Sequence, residues 1–156
     1  PANVDLAMSE LELVTAVGAW VNGHMRYIPG FSGSTDSAID TLLAGQGVCR
    51  DFAHLTVAML RACGVPARLM AAYAPGLVPM DFHAVAEAAV DGRWQVVDAT
   101  RMVPRAGLVR IATGRDAADT AFLTVLSGRV TFGPVQVTCY AHDGLLPEDP
   151  SQPVHL

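Results

Sequence analysis

The sequence contains no lysine, and its ten basic residues are all arginine. Acidic residues outnumber them and give a net charge of -5 at pH 7, which argues against nucleic acid and anionic membranes as partners. Arginine without lysine, in a chain rich in alanine, is typical of bacteria with GC-rich genomes. No apolar run is long enough to cross a bilayer, so we expect no membrane partner.

Cysteine is scarce, and the start of the chain lacks the features of a secretion signal. Three widely spaced cysteines do not make a disulfide framework, which favours a reducing compartment. Residues 1–5 have neither the basic region nor the apolar stretch of a signal peptide. We therefore expect a cytoplasmic location.

The chain also lacks repeats, low-complexity stretches and internal linkers. Because 51% of its 156 residues are apolar, it can bury a core of its own. We predict one domain over residues 1–141. The polar, proline-containing residues 142–156 are predicted to form an extended C-terminal tail.

Three helices are predicted in the first half of the chain. Ser9 and Glu12 have the spacing of a capping box, and helical periodicity follows to near Gly23. A short helix is predicted over residues 37–44. A longer one runs from Cys49 to Cys63 and ends at a glycine with a proline two residues later, a common stop signal.

Strands dominate the second half. They are predicted over residues 67–74, 82–90, 93–100, 108–112 and 130–141. Asp91-Gly92 between two of these runs is a strong hairpin signal. Helices followed by antiparallel strands indicate an α+β fold.

Cys49 is the first candidate catalytic residue. It follows two closely spaced glycines and stands in the first turn of a predicted helix. The positive end of the helix macrodipole favours a thiolate there, and a thiolate is the nucleophile of cysteine acyl-transfer enzymes.

The predicted hairpin brings a histidine and a carboxylate together. A two-residue turn at Asp91-Gly92 pairs Val90 with Arg93, so His83 and Asp98 become diagonal neighbours on one face. Such neighbours are roughly 7–8 Å apart at the backbone, within reach of long side chains. A carboxylate in this position orients the imidazole that exchanges a proton with the thiol.

Five ordered motifs resemble the bacterial transglutaminase-like superfamily. They are GVCRDFAHL at 47–55, GVPAR at 64–68, DFHA at 81–84, VDATR at 97–101 and IATGRDAAD at 111–119. The resemblance implies a papain-like α+β fold with helices packed on an antiparallel sheet. It also implies a catalytic Cys49, a general acid/base His83 and an orienting Asp98. The family often has an aromatic residue two positions after the histidine, where this chain has Val85.

Four further residues are candidates for substrate binding. Gln46 is a possible side-chain oxyanion donor beside the Cys49 backbone N–H. The other three flank the expected cleft: Tyr73, Asp81 and Phe82.

Other cysteines and histidines have simpler interpretations. Cys63 is predicted to lie on the core stripe of its helix, and Cys139 is predicted to be structural. His54 is five residues beyond Cys49 and points away from it. The candidate triad lacks the closely spaced ligand pair of a zinc site, so we expect no metal and no cofactor.

These features predict a cysteine-dependent amide hydrolase or acyltransferase that forms a thioester on a peptide or carboxamide substrate. Hydrolysis is favoured because water is always present and no amine-binding feature is visible. The alternative is an inert module of the same fold that binds a peptide or a partner protein.

Overall fold

The computed structural model describes residues 8–33 and 35–156. Residues 1–5, on which the prediction about a signal peptide rests, lie outside this part. Within the described ranges, three helices precede the main sheet: α1 (Glu10–His24), α2 (Ala38–Ala44) and α3 (Cys49–Ala62). None of the helices in the described ranges is long and apolar enough to span a membrane.

The part of the chain that the structure describes also contains six strands. They are β1 (Arg26–Tyr27), β2 (Gln46–Gly47), β3 (Ala67–Tyr73), β4 (Phe82–Val90), β5 (Arg93–Val97) and β6 (Val109–Gly114). The short strands β1 and β2 pair in parallel. The others form an antiparallel sheet in the order β5-β4-β3-β6, so the predicted α+β class is confirmed.

Local signals fix the ends of the helices. The capping box at the start of α1 is formed, with the Ser9 N–H donating to Glu12 at 2.8 Å. At the end of α3, Gly64 adopts a φ of 82°. The Val65 N–H then donates back to the Leu60 carbonyl at 3.0 Å. This geometry ends the helix where the sequence predicts.

The main sheet separates two clusters of buried side chains. The first packs α1 and α3 on the sheet and includes Val21, Leu60 and Ala86. The second lies around Met70 and Val85 and is completed by residues that follow β5. The helices therefore cover the sheet on one side, while connecting segments cover the second cluster.

The predicted strand over residues 130–141 is wrong. The structure has no strand there, and most side chains in this segment are exposed. Gly133 and Pro134 interrupt the run, and proline has no N–H to donate to a sheet. Residues that favour strands do not form one by themselves when no face is buried to offset the loss of chain entropy.

Residues 148–156 lie against the sheet. The Val96 N–H of β5 donates to the Val154 carbonyl at 2.8 Å. Arg105, which follows β5, donates through Nε to Glu148 at 2.7 Å. The C-terminal segment is thus anchored beside β5.

Candidate active site

Cys49 occupies the first position of α3, one residue after the end of β2, and is half-buried. The buried Asp51 carboxylate holds the backbone that leads into α3. It accepts hydrogen bonds from the Val48 N–H at 2.8 Å and from the Ser32 hydroxyl at 2.9 Å. A Cβ on Gly47 would come within 2.5 Å of Asp51 Oδ2. Only glycine therefore leaves room for the carboxylate that holds this helix start.

His83 and Asp98 form a buried pair. His83 Nε2 lies 2.8 Å from Asp98 Oδ2, and each side chain exposes 1% of its surface. The second oxygen, Asp98 Oδ1, accepts from the Thr100 N–H at 2.9 Å and from its hydroxyl at 2.7 Å. The hairpin register is confirmed, with Val90 opposite Arg93. The turn residues Asp91 and Gly92 both have positive φ.

The surroundings of His83 favour its protonated form. Burial alone would lower the pKa of His83, but its hydrogen bond to Asp98, its interaction with the Cys49 thiol and the charges of both partners outweigh that effect. Together they raise the pKa of His83 to about 10. Its Nδ1 is buried without a regular hydrogen bond to any described residue. Because Asp98 holds Nε2, Nδ1 is the nitrogen available to the Cys49 sulfur.

Tyr27 is a neighbour of Cys49 that the sequence did not indicate. The pairing of β1 with β2 places it beside Gly47. Its ring packs on Phe52, one turn beyond Cys49 in α3, with centroids 6.0 Å apart. Its hydroxyl interacts with the backbone N–H and the thiol of Cys49. Burial and then the electrostatic effect of Cys49 raise the pKa of Tyr27, so the hydroxyl keeps a proton to donate. A two-residue strand gives no periodicity that could have revealed it.

A cleft of about 1020 Å³ opens beside Cys49 and His83. Strand residues such as Ala71 and Ala84 provide apolar lining. Charged side chains line another part of the cleft: Arg61, Arg115, Asp116 and Asp119.

The loop after β6 forms a wall of this cleft and is tied to α3. The Ala117 N–H donates to His54 Nε2 at 3.0 Å. Arg61 donates to the Arg115 carbonyl at 2.9 Å. His54 therefore holds the wall, and burial followed by the charge of Arg50 lowers the pKa of His54, which keeps Nε2 an acceptor.

Of the four predicted substrate residues, Phe82 alone lines the cleft. Its ring packs against that of Tyr73, with centroids 5.7 Å apart. The Asp81 carboxylate accepts from the Phe82 N–H at 2.7 Å. Gln46 accepts from Arg26 at 3.3 Å through its side-chain oxygen. Val85 is buried in the second core cluster and contributes nothing to the cleft lining.

The remaining cysteines are not equivalent. Cys63 is exposed, so its predicted place in the core is wrong. The helix ends at Ala62 and Cys63 is the C-cap, where the chain turns away from the buried face of α3. Cys139 is half-buried and lies outside any strand. Over residues 8–33 and 35–156, no group of three His, Cys, Asp or Glu is placed to hold a metal ion.

A thiol at a helix start, beside an imidazole that a buried carboxylate orients, is the arrangement of cysteine acyl-transfer enzymes. Residues 2–99 match the model of the transglutaminase-like superfamily. The match covers more than half of the chain, and the chain therefore belongs to this superfamily.

Individual proteins are also similar to this chain. An uncharacterized protein of Mycobacterium leprae is 35% identical over 129 residues, which cover 74% of this chain and 45% of the relative. A proposed cysteine protease from Cytophaga hutchinsonii is 43% identical, with a TM-score of 0.73 over 83% of this chain and 48% of that structure. The chain spans about half the length of both proteins.

Calcium-bound LapG of Legionella pneumophila is more distant. It is 22% identical, with a TM-score of 0.50 over 65% of this chain and 62% of that structure. This likeness shows the common fold.

Proposed function

We propose that this chain is a cysteine-dependent amide hydrolase or acyltransferase acting on a peptide or carboxamide. The observation that carries the proposal is the buried 2.8 Å contact between His83 and Asp98, on a ring that also interacts with the Cys49 side chain. The 43% identity with the proposed cysteine protease of Cytophaga hutchinsonii supports the same class of reaction.

Before the acylation step, the imidazole of His83 already holds the proton of the Cys49 sulfur, and the resulting thiolate attacks the carbonyl carbon of the substrate. The C–S bond forms as the carbonyl oxygen becomes an oxyanion. The proposed donors for that oxygen are the backbone N–H of Cys49 and the hydroxyl of Tyr27, which interacts with Cys49. His83 then protonates the nitrogen, the C–N bond breaks, and ammonia or an amine leaves behind a thioester.

In the second step, His83 takes a proton from water, and the resulting oxygen nucleophile attacks the thioester carbon. The C–S bond breaks, the carboxylic acid leaves, and the Cys49 thiolate and the protonated His83 are restored. A second amine in place of water would give acyl transfer. We expect hydrolysis, since no feature of the described cleft selects an amine over water.

The test is turnover of fluorogenic peptides and glutamine amides by wild-type protein and by Cys49→Ala. We expect turnover that the variant lacks and a thioester on Cys49 detectable by mass spectrometry. Absence of turnover across the panel, with an unreactive Cys49, would favour the inert binding module instead.

Iodoacetamide alkylation gives an internal comparison within the wild-type protein. Cys63 is exposed and serves as an ordinary, accessible thiol. Cys49 is less accessible, so a faster rate at Cys49 at neutral pH would reflect activation of the thiol rather than exposure. Equal rates, or a faster rate at Cys63, would count against the proposal.

A further inference from the structure

Four aromatic rings lie in a row that includes Phe82, the residue before His83 in β4. Tyr73 of β3 packs on Phe82 of β4, with ring centroids 5.7 Å apart. Phe82 packs on Phe122 at 5.6 Å, and Phe122 meets Phe132 edge-to-face at 5.8 Å. The row therefore joins the sheet to the segment that follows β6.

The middle of this row faces the catalytic cleft. Phe82 and Phe122 line the same cleft as Cys49 and His83. Phe122 nevertheless has 67% of its surface exposed. An exposed ring in contact with other rings is available to bury a further apolar group.

The wall that carries Phe122 is held in place. It follows the loop whose Ala117 N–H donates to His54 at 3.0 Å. That loop is closed by a hydrogen bond from the Arg115 N–H to Asp119 at 2.8 Å. A surface that is ordered before binding loses less entropy when a ligand docks.

We propose that the rings of Phe82 and Phe122 form a subsite for an aromatic or large apolar side chain of the acyl donor. This inference rests on the proposed function and names its substrate class. Because Phe82 and Phe122 line the same cleft as Cys49 and His83, the occupant is the residue bearing the scissile carbonyl or its neighbour. The aromatic row supplies the cleft wall that Val85, buried in the core, does not.

Peptidyl chloromethyl ketones test the subsite because the Cys49 thiolate displaces chloride and forms a stable C–S bond. The probes are acetyl-Phe-Ala, acetyl-Ala-Phe and acetyl-Ala-Ala chloromethyl ketones. Each alkylation rate at Cys49 is divided by the iodoacetamide rate of the same protein. We expect one phenylalanine probe to react about tenfold faster than the Ala-Ala probe.

The variant Phe122→Ala should remove most of this preference. The matched control is Tyr140→Ala, since Tyr140 lies in the same C-terminal part and is 80% exposed; it should retain the preference. Equal rates for all three probes, or a preference that survives in Phe122→Ala, would overturn the subsite. If no probe modifies Cys49 faster than Cys63, the proposed function itself fails.

Discussion

Replacing Asp98 by asparagine should disable His83 while leaving the shape of the site almost unchanged. Asp98 offers acceptors on both sides: Oδ2 to His83 at 2.8 Å and Oδ1 to the Thr100 N–H at 2.9 Å. Asparagine has a single acceptor oxygen. If that oxygen keeps the hydrogen bond from the Thr100 N–H, the amide NH₂ of the asparagine faces Nε2 of His83. Nε2 must then accept, so a neutral ring carries its proton on Nδ1. The nitrogen available to Cys49 would then be unable to accept a proton.

The magnitude follows from the lost charge. Opposite charges about 4 Å apart interact by about 4 kcal/mol at an effective dielectric constant of about 20. This corresponds to about three pH units in the titration of a neighbouring group. We therefore expect the pKa of His83 to fall from about 10 by about three pH units, since the interaction with Cys49 is the same in both proteins. Turnover should fall by at least about a hundredfold.

The direct measurement is an NMR titration of the His83 ring, assigned by comparison with His83→Gln. The control Thr100→Val removes the hydroxyl bond to Asp98 but keeps the charge and the backbone N–H, so its titration should move less. A wild-type ring that titrates between pH 6 and 7 would refute the reasoning. So would an unchanged titration in Asp98→Asn.

The same titration has a consequence for stability. The pKa of His83 in the folded chain is raised above its ordinary value of 6.5, so its protonation favours the folded state. This contribution is complete below pH 6.5 and is lost as the pH rises toward 10. Asp98→Asn should therefore flatten the alkaline fall in the free energy of unfolding.

Two further variants test the surroundings of Cys49. Tyr27→Phe should lower kcat about a hundredfold with little change in KM, because an oxyanion donor acts mainly in the transition state. Tyr140→Phe is its control, and a loss confined to KM would contradict this role. Gly47→Ala should lower the free energy of unfolding by about 1–3 kcal/mol through its clash with Asp51. Urea titration should find no such loss in Gly133→Ala, where a Cβ meets nothing within 4 Å.

Elements specified by neighbouring residues could be predicted from the sequence. Asp91 and Gly92 fix a two-residue turn, and the turn fixes the register that brings His83 to Asp98. Gly64 ends α3 through its own positive φ. In each case the deciding contacts lie within one helix end or one hairpin, so short sequence signals are sufficient.

Features that depend on distant segments could not be predicted. Tyr27 reaches Cys49 only because β1 pairs with β2 across the intervening helix α2. Phe122 joins the cleft because the loop after β6 is tied back to His54. Residues 130–141 have the composition of a strand, but the structure gives them no strand partner among the described residues. No periodic pattern of apolar residues within a single helix or strand indicates any of these three outcomes.

The use of arginine without lysine has one clear structural consequence at Arg105. Its guanidinium donates to Glu148 at 2.7 Å and to the carbonyls of Val96 at 3.1 Å, Asp149 at 2.7 Å and Gln152 at 3.0 Å. A lysine has three donors on one atom and cannot span four such acceptors.

Arg105→Lys should therefore leave buried or partly buried acceptors unsatisfied, at about 1–3 kcal/mol each. We expect a fall of about 2–3 kcal/mol in the free energy of unfolding and faster hydrogen exchange at the Val96 N–H. That amide donates to the Val154 carbonyl of the anchored C-terminal segment. Arg129→Lys, at an exposed position, should change neither quantity. Equal stability of the two variants would mean that the planar set of donors on Arg105 is dispensable. Arg105 would then not anchor this segment.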